Sequence, residues 1–140
     1  MAGTGAGAGA GAGAGRLTTH VLDLARGGPA AGVEVKLYSL SGAERMLLRE
    51  AVTSADGRTG GPLLEGTDMK PGLYELEFDV GAYFRQADEA EDEAADETEA
   101  DGQAGFFGLV PIRFRIVRAE EHYHVPLLAA PGGYSTYRGS

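Results

Sequence analysis

The sequence predicts an all-β fold, a two-sheet sandwich with Greek-key-like connections and one short helix, and three observations carry that expectation. Apolar residues recur with a period of two, turn residues interrupt them at short intervals, and no long segment keeps a helical 3.6-residue period.

The elements follow in order. Residues 17–22 form a first strand, ended by Asp23 and the Arg26-Gly27-Gly28-Pro29 turn. Val33, Val35 and Leu37 then alternate with Glu34, Lys36 and Tyr38, the pattern of a half-buried strand. A hairpin-like connection leads to a candidate strand at residues 45–54. Asp56-Gly57 is a strong turn signal that leaves Arg58 just beyond the bend. After Pro71-Gly72, Leu73, Glu75 and Glu77 alternate with Tyr74, Leu76 and Phe78, and Gly81-Ala82-Tyr83-Phe84 begins a short turn or helix. Ile112, Phe114 and Ile116 alternate with Arg113, Arg115 and Val117. The Ala119-Glu120-Glu121 turn and the period-2 run of residues 122–128 then read, with that strand, as a β-hairpin.

Composition separates this domain, expected over residues 16–140, from two segments that cannot bury a core. Residues 1–15 are almost pure Gly-Ala repeat, so ordering them would lose backbone entropy without return, and a disordered leader is expected. Residues 88–101 carry nine acidic side chains and no basic or aromatic one, and read as a solvated, disordered insertion. Those nine acids equal the whole formal charge of −9, which leaves the rest neutral. With no basic stripe, nucleic-acid and anionic-membrane partners are not expected. The absence of cysteine excludes disulfides, thiolate metal sites and a cysteine nucleophile. No signal-peptide pattern and no run of about 18 apolar residues occurs, so the cytoplasm is the expected compartment.

Alternation in residues 122–128 puts Tyr123, Val125 and Leu127 on a core face and His122, His124, Pro126 and Leu128 on the other. That second face mixes imidazoles with apolar side chains, as expected of a surface that meets another subunit or lines a cleft. The same reasoning sets His20 beside Leu22. Singly, each histidine is explained as a satisfied or solvent-facing strand residue, and Arg58 as a solvated side chain. His122-x-His124 has metal-pair spacing, and with His20 gives an alternative reading as a zinc hydrolase, but the signal is weak. A structural or adhesive sandwich, with the acidic segment as its interaction element, is a further alternative.

Three segments decide among these readings. Leu17-Thr18-Thr19-His20-Val21-Leu22-Asp23 with Arg26-Gly27-Gly28-Pro29-Ala30, His122-Tyr123-His124-Val125-Pro126-Leu127-Leu128, and Tyr134-Ser135-Thr136-Tyr137-Arg138-Gly139-Ser140 resemble the signature segments of 5-hydroxyisourate hydrolases, the enzymatic branch of the transthyretin family. The terminal Tyr-Arg-Gly-Ser is the most specific of them. The resemblance covers roughly residues 16–87 and 105–140. It departs from the family at the Gly-Ala leader, at the acidic insertion, and at Phe106-Phe107-Gly108, where a proline commonly follows the aromatic pair.

The resemblance implies a transthyretin-like sandwich that hydrolyses 5-hydroxyisourate to 2-oxo-4-hydroxy-4-carboxy-5-ureidoimidazoline without metal or cofactor. It implies His20, Arg58 and His124 as catalytic residues, and Tyr137, Arg138, Gly139 and Ser140 as substrate-binding ones. It also implies a homotetramer, a dimer of dimers with sites between subunits. Either His20 or His124 is expected to act as general base, with arginine forks on the urate-like ring and its developing oxyanion. The runner-up is a non-catalytic transthyretin-like carrier of a small aromatic ligand.

Overall fold

A computed structural model describes residues 15–91 and 105–139. The expected leader therefore lies outside the described residues except for Gly15, and the acidic insertion lies outside them beyond position 91.

One sheet is built from β4 (Glu34–Ser41), β5 (Glu44–Val52), β7 (Gly72–Asp79) and β8 (Leu109–Ile116), in the order β5-β4-β7-β8 and antiparallel throughout. The expected hairpin joins β4 to β5 through Gly42, whose φ of 61° suits a residue without Cβ. Register aligns apolar side chains into rows, Val35 with Phe78 and Val110, Leu37 with Leu76 and Ile112. Val35, Leu37, Leu76, Phe78 and Val110 are buried. Pro111 sits in β8, an edge strand, where it takes no donor from an interior ladder. On the outer face Glu75 is buried between Arg45 and Arg113, each 2.9 Å from one of its carboxylate oxygens.

The second layer uses shorter pieces. β1 (Arg16–Thr18) pairs in parallel with β9 (His122–His124), and β2 (Val21–Asp23) pairs in parallel with β10 (Leu127–Ala130). Both pairings keep one offset, Thr18 with His124 and Val21 with Leu127. Val125 N donates to Thr18 O at 3.0 Å and Leu127 N to His20 O at 2.9 Å, so the ladder continues through the gap as one bent ribbon. β3 (Gly28–Pro29) and β6 (Leu64–Glu65) flank it on one side, β11 (Gly133–Thr136) on the other. Leu17, Val21, Tyr123, Val125 and Leu127 point into the core, as alternation requires. Thr19 also points inward, where its hydroxyl donates to Val125 O at 2.7 Å.

One expectation is corrected. The strands around residues 112–117 and 122–128 do not form a hairpin. β8 pairs with β7, and β9 with β1 in the other layer, so their connection is a crossover. Tyr123 closes that corner, its hydroxyl oxygen accepting from Val117 N and Arg118 N, both at 3.0 Å. The expected short helix follows β7. α1 spans Val80–Glu91, because Arg85, Gln86, Ala87 and the Ala-Glu residues that follow favour helix.

Asp23 explains why its motif reads as it does. One carboxylate oxygen accepts from Ala25 N and Arg26 N to shape the turn, and the other accepts from the Tyr83 hydroxyl at 2.7 Å. Burial, then the Asp23 hydrogen bond and charge, push the Tyr83 phenol up to about 12. The bond thereby ties α1 to the ribbon. The Phe106-Phe107-Gly108 segment is held without a proline, by Phe106 N on Pro131 O at 2.8 Å and by an edge-on contact of Phe107 with Tyr134.

Candidate active site

The site lies on the outer face of the bent ribbon. His20 occupies the break between β1 and β2, and Arg58 pairs with it in an antiparallel bridge. The Asp56-Gly57-Arg58 turn is pinned there, since Gly57 O accepts from Val21 N at 2.9 Å. Gly57 has φ +79°, and a Cβ on it would stand 2.5 Å from Val21 O and 3.0 Å from His20 Cδ2. Only glycine lets this turn lie so close to the ring. The Asp56 carboxylate accepts from Arg58 N and Ser54 Oγ, both at 2.9 Å. Those bonds, the Arg58 N–H first, hold it below its ordinary range. His20 Nε2 lies 2.9 Å from the Asp56 carbonyl. A carbonyl only accepts, so Nε2 carries a proton.

His124 ends β9, one strand away. Its Nδ1 is 2.8 Å from Thr18 Oγ1, across the β1–β9 register that aligns the two residues. The chain's last described residue reaches the same ring. Gly139 N donates to His124 O at 2.7 Å, and a Cβ on Gly139 would fall 2.6 Å from His124 Cδ2. Burial first, then the Arg58 guanidinium and His20, push the His124 pKa down, so its imidazole is neutral at neutral pH.

The structure thus brings His20, Arg58, His124 and Gly139 together. The other residues expected from the sequence fall elsewhere. Arg138 turns away, its guanidinium 3.1 Å from Glu121 Oε1, 3.0 Å from His122 O and over the Tyr123 ring at 4.3 Å. Tyr123 points to the face opposite His124, so Arg138 braces the tail from the far side of the strand. Tyr137 is exposed, and Ser140 lies outside the described residues. A cavity of about 320 Å³ between the edges of β8 and β11, lined by Phe114, Tyr123, Tyr137 and Arg138, does not include the histidines. Among the described residues no three His, Asp or Glu side chains are grouped to hold a metal ion. Two contributors escaped the sequence reading, Thr18 and Gly57. Alternation alone sets Thr18 on the His20 face, whereas its contact with His124 needs the pairing of distant strands.

Two imidazoles, a guanidinium and the described end of the chain thus meet on one sheet face of a two-sheet β-sandwich. The model of the HIUase/Transthyretin family matches residues 17–139, and the chain belongs to that family. It is 51% identical over 125 residues to 5-hydroxyisourate hydrolase 2 of Rhizobium meliloti (strain 1021), covering 89% of this chain and 96% of that protein. The structure of Klebsiella pneumoniae 5-hydroxyisourate hydrolase matches with TM-score 0.69 and 36% identity, over 90% of this chain and 99% of that one. Sea bream transthyretin in complex with thyroxine matches with TM-score 0.73 over 89% of this chain and 94% of that one, and at 24% identity shares the fold.

Proposed function

We propose that this protein hydrolyses 5-hydroxyisourate to 2-oxo-4-hydroxy-4-carboxy-5-ureidoimidazoline, a step of urate degradation. The observation that carries the reading is the meeting of His20, Arg58, His124 and Gly139 on one sheet face, in a chain half identical to a hydrolase of that name. A carrier of an apolar ligand has no physical use for two imidazoles beside a guanidinium.

The chemistry needs an activated water, a counter-charge for the carbonyl oxygen, and a proton for the departing nitrogen. His124 is neutral and takes a proton from water as the water oxygen bonds to the ring carbonyl carbon. Arg58 stabilises the oxyanion, its planar fork suited to an anionic urate-like ring. The oxyanion then re-forms a carbonyl, the carbon–nitrogen bond breaks, and the proton held by an imidazole passes to the departing nitrogen. His20, with Nε2–H committed to Asp56, orients the ring or relays that proton.

As part of the same proposal the working form is a homotetramer, a dimer of dimers, in the cytoplasm. Half-buried Leu22 and Leu128 on the site's own face support a contact between copies there. Among the described residues no helix is long and apolar enough to cross a membrane.

The test follows the ultraviolet decay of freshly generated urate-oxidase product. The protein should accelerate it, and His124→Ala should lower kcat by about 10²–10⁴-fold, the usual worth of a general base. Wild-type turnover in both His124→Ala and His20→Ala would remove these residues from the mechanism.

A further inference from the structure

Thr18 stands next to the site without a role in the reaction just described. Its hydroxyl oxygen lies 2.8 Å from His124 Nδ1, partly buried, and its backbone is locked to the same strand by Val125 N on Thr18 O at 3.0 Å. The contact joins residues 106 positions apart, placed opposite each other by the parallel register.

A hydroxyl both donates and accepts, so the direction of this bond has to be decided. Nδ1 is the nitrogen that Thr18 engages, so Nε2 is the one left to take a proton from water. A neutral ring that acts as a base through Nε2 carries its proton on Nδ1, so the base role makes Nδ1–H the donor and the Thr18 oxygen the acceptor. At His20 the other nitrogen is engaged, because Nε2–H is bound by the Asp56 carbonyl. The two rings are held through opposite nitrogens, one by a residue of β1 and the other by the Asp56-Gly57-Arg58 turn. Gly139 lies against the Cβ, Cγ and Cδ2 edge of the His124 ring, where a Cβ would not fit. Arg58 and His20 are the charged or titratable groups that act on it among the described residues.

We infer that Thr18 is a positioning residue, whose oxygen fixes the ring of His124 as its Nδ1–H tautomer and so presents Nε2 as the base. The inference rests on the hydrolase reading, which makes His124 the base, while the protonated nitrogen of the resting ring can be measured apart from turnover. Loss of the oxygen leaves the neutral ring free to exchange tautomers and to tilt, and removes one acceptor from the imidazolium that forms when the base takes its proton.

The test compares Thr18→Val with Thr18→Ser in the full chain. Thr18→Val, similar in shape and equally suited to a strand, should lower kcat about tenfold with little change in KM. It should also move the acidic limb of the pH–rate profile to lower pH, since the protonated ring has lost an acceptor. Thr18→Ser should restore both. Nitrogen-15 spectra of labelled histidine should show Nδ1 protonated and Nε2 unprotonated at His124 in the parent, and a mixture in Thr18→Val. Unchanged kcat and unchanged nitrogen shifts in Thr18→Val would overturn the inference, as would a well-folded Thr18→Ser with the valine variant's rate. Retained turnover in His124→Ala would instead defeat the hydrolase reading, and the nitrogen spectra would still decide the tautomer.

Discussion

Where the β5-β4-β7-β8 sheet runs strands of eight or nine residues in antiparallel register, with one bulge at Leu37 and Tyr38, the facing layer breaks its strands at His20 and again after His124. The first sheet buries rows of large side chains inward and pairs its charges outward. The second gives up regular length, and at the breaks it turns imidazoles outward and admits the Asp56-Gly57-Arg58 turn and the tail. Stability and chemistry are thus divided between layers, and substitutions in the two should fail in different ways.

The largest effect is expected in the regular sheet. Phe78 is fully buried, and Phe78→Ala should cost about 3–5 kcal/mol in urea unfolding. The molecules that remain folded should keep kcat within about twofold. A stable Phe78→Ala protein with lost turnover would break the division.

Gly139→Ala tests the other layer. The added methyl meets the His124 ring and must displace it or the tail, so kcat should fall about ten- to a hundredfold while Tm moves by less than about 2 °C. A wild-type rate would show that the tail does not need to rest on the imidazole.

The smallest effect belongs to Glu75. Burial alone would raise its pKa, but hydrogen bonds from Arg113 and Arg45 outweigh burial and hold it below the ordinary range. With the folded value below the unfolded one, the ion pairs add stability above about pH 4 and lose it as pH falls through the folded value. Both arginines are largely exposed, so Glu75→Gln strands no buried cation. It should lower Tm by about 4 °C at neutral pH and by less under acid conditions. A deficit equal at pH 7 and pH 3 would refute the ion-pair account.

The same division explains what could be read from residues alone. Alternation in β4, β7 and β8 shows strand and core face directly, since each is long enough for period two to be seen. The breaks in the ribbon could not be read. They depend on register between strands about a hundred positions apart, and on a threonine hydroxyl, Thr19, that takes the Val125 carbonyl. The crossover after β8 was read as a hairpin because Ala119-Glu120-Glu121 has the chemistry of either. What decides it is the hydroxyl of Tyr123 on two backbone N–H groups. For the site, alternation exposed a face that mixes histidines with apolar residues, and the resemblance to the family selected His20, Arg58 and His124 as candidates. Arg138 illustrates the limit of such transfer, since a motif names a residue and not the side of the strand to which it turns.

The parallel ribbon also constrains how the protein comes into being. Its two halves, β1–β2 and β9–β10, lie near opposite ends of the domain in sequence, and closing so long a loop is entropically slow compared with forming the first sheet between them. On a ribosome that sheet can form early, while the imidazoles of His20 and His124 stay apart until β9 emerges. Assembly of the proposed site therefore waits for β9 to pair with β1, and a chain cut short before that strand should lack turnover however well its remaining sheet holds together.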